Sequence, residues 1–479
     1  MMWLVSGAYT GEPESYALFI NPILSLVLSK LYLLFPEFNW YGAFWFLVDF
    51  LSGFLLLNRI QYSEIPYSNK RFWNIFVLLI SIHFAFFSQF TLIAGYAGLA
   101  GLIALSQSQK KEYLTIIFGA IAVFLGLLIR WESVGLICLG YISSEIMFST
   151  YSARKPIIIG AFVFFLAGIV LSGKGLYERK FVDSGFLEFN KLRSKVIDHP
   201  VFVMQSRSNQ IEKDTDWFFF SRWMFEELEI GKEDLIQKKA ELDKELFSLK
   251  ELKNGFYRII LVQLTELFKS MLILTLLIGF LYLKFSWKKK LVFIFSWLTF
   301  FLTFNHFNML LGRVNLLFFL ILLFPILKIQ YSVLKSNFWN VSSIVLVGFL
   351  VVHTFNFLKE ADGRKIINKE FYDLLSYTNS ETPVFLEGFF EYNFLDQFNY
   401  TNLVPVLSYG WISRSSFQRK AYQKRGFNKQ SDLEDYYILA FKLPGPLAFS
   451  DYMNKISPGF NKSKRFETTN LELMYFSKR

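Results

Sequence analysis

YLTIIFGAIAVFLGLLIRWESVGLICLGYISSEIMF, residues 113–148, holds two apolar runs, Tyr113–Ile129 and Val134–Met147, on either side of one charged triplet, Arg130-Trp131-Glu132. A hydrocarbon layer about 30 Å thick takes roughly 20 apolar residues in a helix. The stretch therefore predicts two membrane-crossing helices interrupted at the triplet. The pattern repeats outward at Tyr16–Phe35, Trp40–Leu57, Phe72–Phe90, Thr91–Leu105, Ile157–Leu171, Leu261–Phe285, Leu291–Phe304, Asn315–Ile329 and Val341–Phe357. The expectation is an α-helical polytopic membrane protein of about 11 transmembrane segments, some of them short enough to be tilted or half-spanning.

Composition agrees. Of 479 residues, 53% are hydrophobic and 19% aromatic, including 58 Phe, and only 19% are charged; soluble domains carry about 25%. These figures exclude a disordered or collagen-like chain and argue against an ordinary soluble enzyme. A single cysteine, Cys138, excludes a disulfide-stapled scaffold.

The formal net charge is +11, and its distribution separates two classes of partner. Two polar blocks stand out. Residues 173–258 hold 16 Lys/Arg and 16 Asp/Glu, and residues 358–479 hold 17 and 14. The remainder carries +8, concentrated in short connections such as Lys70-Arg71, Lys110-Lys111, Arg154-Lys155 and Lys288–Lys290. A nucleic-acid binder would gather that charge on a folded face; this is the positive-inside pattern of a multi-pass membrane protein. No nucleic-acid partner is expected.

With Lys110-Lys111 cytoplasmic, forward alternation also puts Arg154-Lys155, Lys288–Lys290 and the Lys328–Lys335 connection inside. Arg130-Trp131-Glu132, both polar blocks and the Asn305–Arg313 turn fall outside. Alternating backward places Met1–Ser15 inside, unless one hairpin within 72–106 is misread, since no polar loop separates the two runs there. No cleavable signal peptide is recognised at the first residues.

Four regions follow: an N-terminal transmembrane bundle (1–172), an external mainly helical insertion (173–258), further transmembrane helices (259–357) and a small external α/β domain (358–479). In the insertion, Phe225–Lys253 reads as helical with a break at Gly231, its apolar spacing carried by Ile236, Leu242, Leu246 and Leu249. In the last region Val384–Leu386, Val404–Ser408 and Leu471–Phe476 read as strands, the second confined to an edge by Pro405. Phe371–Tyr377 ends a helix arriving from the membrane, and Pro444-Gly445-Pro446 marks a loop. No dinucleotide fingerprint, P-loop or nucleophile elbow occurs.

His83, His199, His306 and His353 show no metal spacing, and no metal ligands are assigned. Charges at the membrane edge are more informative, because each needs a partner or a pathway. Arg130, braced by Glu132, suits a lipid-linked phosphate; its bland reading is an interfacial anchor with a snorkelling arginine. His306 and Arg313 form a second polar turn on the same side, with the same alternative. Lys30 and Asp49 are expected to neutralise each other, and His83 and His353 to be packed within the bundle. Glu12 and Glu14, in a Gly-containing loop before the first run, suit a general base or a ligand for a hard divalent cation, magnesium or manganese. Their alternative is a helix-start signal.

The opening segment SGAYTGEPESYALFINPILSLVLSKLYLLFPEFNWYGAF (6–44) resembles bacterial polytopic membrane proteins of the GT-C-like group. So do LLIRWES (127–133), FLEFNKLRSKVIDHP (186–200) and GWISRSSFQRKAYQKRGF (410–427). The group resembles glycosyltransferases that use polyprenyl-phosphate sugars in envelope-polysaccharide synthesis. The resemblance implies an external active site, with an acidic residue near the end of a first transmembrane helix as base. Here Met1-Met2-Trp3 stands where relatives leave that helix, so the first helix is expected to be lacking.

The reading from sequence is a glycosyltransferase of the bacterial inner (cytoplasmic) membrane. It moves a sugar from a polyprenyl-phosphate donor to a cell-envelope glycan or lipid acceptor outside the cytoplasm. Glu12 or Glu14 is assigned to catalysis; Arg130, Glu132, Arg193, Asp198, His306 and Arg313 are assigned to substrate binding. The alternatives are a glycan polymerase or flippase-type transporter, and a non-enzymatic membrane scaffold.

Overall fold

The computed structural model describes residues 1–63, 65–108, 112–148, 154–308, 312–328, 336–379, 381–388, 403–442 and 447–478. Lys110-Lys111, residues 329–335 of the Lys328–Lys335 connection, residues 309–311 of the Asn305–Arg313 turn and the Pro444–Pro446 loop lie outside those residues.

The first half is a helical bundle: α1 (Met2–Val5), α2 (Pro22–Leu34), α3 (Trp40–Tyr62), α4 (Tyr67–Phe86), α5 (Phe90–Gln107), α6 (Tyr113–Phe148) and α7 (Arg154–Phe181). Then follow α8 (Ser184–Ile197), α9 (Pro200–Arg207), α10 (Asp216–Ser221) and α11 (Lys232–Leu246). The bundle resumes with α12 (Leu249–Thr265), α13 (Leu267–Leu281), α14 (Trp287–Phe307), α15 (Gly312–Leu320), α16 (Leu323–Ile326) and α17 (Ser336–Leu375). Among the described residues six helices are long and apolar enough to cross a membrane, or seven if the bent α12–α13 pair is one span. This is a multi-pass membrane protein.

α6 reverses at Arg130, whose backbone (φ −159°, ψ 97°) leaves the helical region. Both arms pack on α5, where glycines let backbones approach closely. A Cβ at Gly101 would stand 2.5 Å from the Gly119 carbonyl oxygen on the first arm, and one at Gly98 would press on Val134 of the second. The reversal leaves the Leu128 carbonyl to accept the backbone N–H of Asn21 at 2.8 Å, while the Asn21 amide donates to Val170 on α7 at 3.0 Å.

Ion pairs and carbonyl contacts identify the opposite, basic end of the bundle. Arg59 reaches Glu112 (2.7 Å) and the Gln107 carbonyl, and Lys155 donates to the Ser106 carbonyl. Lys328 pairs with Glu145 at 2.6 Å, and Lys290 donates to the Leu283 carbonyl. The two polar blocks sit at the other end and cap it.

Three expected spans differ. Tyr16–Phe35 forms only the 13-residue α2, about 20 Å long at 1.5 Å per residue and too short to cross. α2 starts beside Leu128 and Val170, so residues 1–21 lie at the capped end. The expected hairpin at 72–106 is present as α4 and α5, which leaves α2 as the reason backward alternation put Met1–Ser15 at the other end. Leu261–Phe285 is bent by 100° between α12 and α13. Asn315–Ile329 is broken into α15 and α16.

The cap is completed by strands β1 (Val384–Glu387), β2 (Val406–Leu407), β3 (Asp435–Phe441), β4 (Phe460–Glu467) and β5 (Leu471–Lys478), with helices α18 (Ser416–Gln423) and α19 (Ala448–Ile456). The sheet order is β2-β1-β3-β5-β4, parallel through β2, β1 and β3 and antiparallel beyond. β2, carrying the Pro405 segment, is at the edge as expected. The N-terminal loop, the insertion and the C-terminal domain share one hydrophobic core containing Tyr9, Phe189, Phe220, Phe225, Tyr422 and Tyr436. In α11 the buried face is Leu235, Leu242 and Leu246, and Ile236 faces outward instead, as does Leu249 at the start of α12.

Replacing Gly101 by Ala should destabilise the α5–α6 packing by about 1–3 kcal/mol, the usual cost of overpacking. Gly135→Ala, where a Cβ meets nothing within 4 Å, should be silent. Thermal unfolding of the two variants in detergent checks the contrast.

Candidate functional site

The site is built where the α6 reversal meets the underside of the cap. Phe90, the first residue of α5, organises it. The Arg130 guanidinium carbon lies 5.0 Å from the Phe90 ring centroid and that of Arg313 lies 5.9 Å from it. Phe19 of the N-terminal loop stacks on the same ring at 6.1 Å and meets Trp411 of the C-terminal domain at 5.1 Å. One aromatic ring thus joins the bundle, the loop and the cap.

Glu132 stands 3.9 Å from Arg130 Nε, both partly exposed, so this ion pair is loose. Arg193, on α8, is buried and held by Asn190, whose side-chain oxygen accepts from Nε at 3.0 Å. Its guanidinium lies 4.8 Å from the Trp223 ring centroid and 5.7 Å from that of Phe225. Its Nη1 has no hydrogen-bond partner among the described residues. Burial draws the Arg193 pKa down to about 10, with Asp198 opposing.

Asp198 caps the C-terminus of α8. Its side chain keeps access to solvent; desolvation by the surrounding protein raises its pKa, and Arg193, Arg313 and Arg130 oppose the rise. The three guanidinium groups, from α8, α15 and the α6 reversal, thus lie within electrostatic reach of Asp198, although none pairs with it within 4 Å among the described residues. Three guanidinium charges against the carboxylates of Asp198 and Glu132 still leave a net cationic site, suited to phosphate.

The remaining candidates lie elsewhere. His306, in the last turn of α14, faces Phe247 and the Gly255 turn of α12. Glu14 pairs with Lys420 of the C-terminal domain at 2.8 Å, and Glu12 is exposed. Neither shows a contact with the arginine cluster. The expected Lys30–Asp49 pair does not form: Lys30 is exposed, while Asp49 is buried with Oδ1 lacking a hydrogen-bond partner among the described residues. His83 and His353 meet each other at 3.1 Å within the bundle. Among the described residues no three His, Cys, Asp or Glu side chains are gathered as for a metal ion. The arginines around Asp198 make poor surroundings for a divalent cation.

Two further sets of charges flank the cluster. Glu266, at the α12–α13 bend, pairs with Lys269 at 2.5 Å. Its carboxylate occupies the space a Cβ at Gly312 would take, directly before Arg313. Two charges three residues apart in an apolar run were a signal for this site. Arg258, also buried, stands 3.7 Å from Glu251 with no guanidinium nitrogen hydrogen-bonded among the described residues. In sequence it reads as one more cation of a polar block.

The 222–230 segment that packs on Arg193 is fastened by Arg414. Its side chain donates to the carbonyls of Phe225 (2.8 Å), Ile230 (2.9 Å) and Leu228, and its backbone N–H donates to Glu226 Oε2 at 2.6 Å. These bonds hold Arg414 in the left-handed region (φ 64°), a conformation costing about 1–3 kcal/mol. Burial pushes the Glu226 carboxyl up to about 7, with Arg414 opposing.

No protein-family model matches the chain, and no curated protein is similar to it in sequence. A solved structure, ArnT from Cupriavidus metallidurans in the apo state, is similar at 10% identity, covering 99% of this chain and 91% of that one, with a TM-score of 0.38. That likeness is too distant to decide fold or activity.

A carboxyl whose pKa is higher folded than unfolded makes the fold lose stability as pH rises between the two values. Glu226 should therefore cost the protein stability between pH 4.5 and about 7. Glu226→Gln should flatten the dependence of melting temperature on pH across that window. An unchanged slope would place the titration elsewhere.

Proposed function

We propose that this protein is an integral membrane glycosyltransferase. It transfers a sugar from a polyprenyl-phosphate donor to a cell-envelope glycan or lipid acceptor. The observation that carries the reading is that Arg130 and Arg313 lie over the one Phe90 ring at the junction of bundle and cap, with Arg193 and Asp198 in electrostatic reach. The basic residues at the far end of the bundle support a cytoplasmic location for that end and an extracytoplasmic location for the site, in a bacterial inner membrane.

In this scheme the acceptor hydroxyl oxygen bonds to the anomeric carbon while the bond from that carbon to the phosphate oxygen breaks. The phosphate leaves with the electron pair, and Arg130 and Arg313 stabilise the charge it gains. Phe90 fixes the spacing of the two guanidinium groups. Arg193, pre-positioned by Asn190 and Trp223, adds a third donor. The acceptor proton passes to a carboxylate. Glu12 and Glu14 were the expected bases; of the two carboxylates near the arginines, Glu132 is engaged by Arg130 at 3.9 Å, and we assign the role to Asp198. No step is routed through a metal.

A second reading, translocation of a lipid-linked glycan, draws on Asp49 alone, because a buried intramembrane carboxylate is a common mark of a transport pathway. Asp49→Asn separates the two: transfer should survive it, and a loss of export with transfer intact would favour translocation.

Replacing Arg130 or Arg313 by Ala in the full-length protein should lower transfer from a polyprenyl-phosphate sugar by about 10²–10³-fold, the scale for removing one group that stabilises transition-state charge. Lysine at either position should restore part of it. Asp198→Asn should abolish transfer while Glu12→Gln and Glu14→Gln retain it. Wild-type rates in the arginine variants would overturn the donor site, and the reverse carboxylate pattern would return the base to the N-terminal loop.

A further inference from the structure

A surface cleft of about 450 Å³ opens in the insertion, well apart in its lining from the arginine cluster. Phe202 and Gln205 of α9 form one wall, Trp217 of α10 and Lys238 of α11 another, and the 208–215 loop, with Gln210 and Glu212, the rim. Its volume falls in the range of about 300–1,000 Å³ typical of small-molecule sites.

Asn209 (φ 51°) and Asp214 (φ 66°) place two left-handed turns in the rim. Thr215 caps α10 through the Phe218 N–H, and Lys455 of the C-terminal domain reaches both the Asp214 carbonyl (3.0 Å) and the Asp216 carboxylate (2.6 Å). Trp217 is braced by Phe202 and Phe220, which meet it nearly perpendicular at centroid distances of 6.3 and 5.3 Å. Gln205 donates to Glu245 at 2.9 Å, which leaves its oxygen as an acceptor.

The lining selects a class of ligand. Two aromatic rings, Trp217 and Phe202, and the aliphatic Ile211 are surrounded by two amides, a hydroxyl, a carboxylate and one ammonium. The single cation, Lys238, is already 3.2 Å from Glu241, so the cleft lacks the positive charge a phosphate or nucleotide requires. The polar groups are too many for an apolar chain. A polyhydroxylated ring answers both conditions: its C–H face packs on the indole beside Lys238, whose Nζ lies 5.6 Å from the Trp217 ring centroid, and its hydroxyls exchange hydrogen bonds with amides and carboxylate. α9 starts at Pro200, two residues after Asp198, so Gln205 lies about 8 Å along that helix at 1.5 Å per residue.

We infer that this cleft binds a saccharide, the glycan part of the acceptor, and so selects the acceptor whose end is presented near Asp198. The assignment of the saccharide to the acceptor rests on the proposed transfer reaction; saccharide binding itself does not. The test uses the full-length protein in detergent, titrated by saturation-transfer NMR with N,N′-diacetylchitobiose, maltotriose and a galacturonate trimer, with inorganic phosphate as the control. At least one saccharide should bind, phosphate should not compete, and Trp217→Ala should weaken binding at least tenfold. Because Trp217 packs against Phe202 and Phe220, Gln210→Ala and Glu212→Gln at the exposed rim provide variants that keep that packing; both should weaken binding with unchanged melting temperature. Arg130→Ala should bind saccharide normally. Absence of binding by folded wild-type protein at about 10 mM saccharide, beyond the millimolar range of weak sites, would overturn the inference, as would binding unaffected by the rim variants. Transfer without saccharide binding would sink this inference alone, whereas binding at the cleft without transfer would sink the enzyme reading and leave a carbohydrate-binding protein.

Discussion

A guanidinium at the edge of a hydrocarbon layer has to be met from the water side, and the architecture follows from how Arg130 is met. The charged triplet ends one helix and starts the next, so α6 folds back at the level where lipid gives way to water. α5 fits between the arms because its glycines admit close backbone contact. Its first residue, Phe90, then lies under both Arg130 and Arg313. Glu132 supplies the nearer compensating charge at 3.9 Å, and Asp198 of the cap adds a weaker one. The bundle thus sets the arginines, and the cap sets what they face.

The cap does this with three segments far apart in sequence. Tyr9 donates to Gln418 at 3.0 Å, Arg414 fastens residues 225–230, and Arg425 donates to the Val404 carbonyl at 2.6 Å. The N-terminal loop and the insertion therefore hold their positions through the C-terminal domain. A change at Arg414 or Tyr9 acts on Arg193 and Phe90 only through this packing.

Much of the bundle was legible because burial in lipid leaves a plain signal, an unbroken apolar run. The same signal misleads where composition and geometry part. α2 is as apolar as a span but stops at 13 residues, with Asn21 at its N-cap. The 261–285 run contains Glu266 and Lys269, and the chain bends between α12 and α13, at the first of them. In the cap, β1 and β5 read as buried strands from their apolar runs. β3 was missed although Asp435–Phe441 is a buried, aromatic run, and β4 gave little to read because FNKSKRFE exposes most of its side chains. Arg130 and Arg313 were readable as isolated charges in short turns. Their proximity to Arg193 and Asp198 was not, since it depends on where the tertiary packing of the cap puts α8, which no local pattern encodes. Glu12 and Glu14 show the reverse case: acidic residues in a plausible loop, one turned to Lys420 and the other to solvent.

The central claim is that the shared arginine cluster is a phosphate site for a lipid-linked donor. The most direct test is equilibrium binding of a polyprenyl monophosphate to the purified protein, followed by the ³¹P resonance of the bound lipid in wild type and in the Arg130→Ala, Arg313→Ala double variant. The account predicts a shifted ³¹P signal that weakens with salt and is lost in the double variant, with the melting temperature of the cap retained. An unchanged signal and affinity in that variant would contradict it.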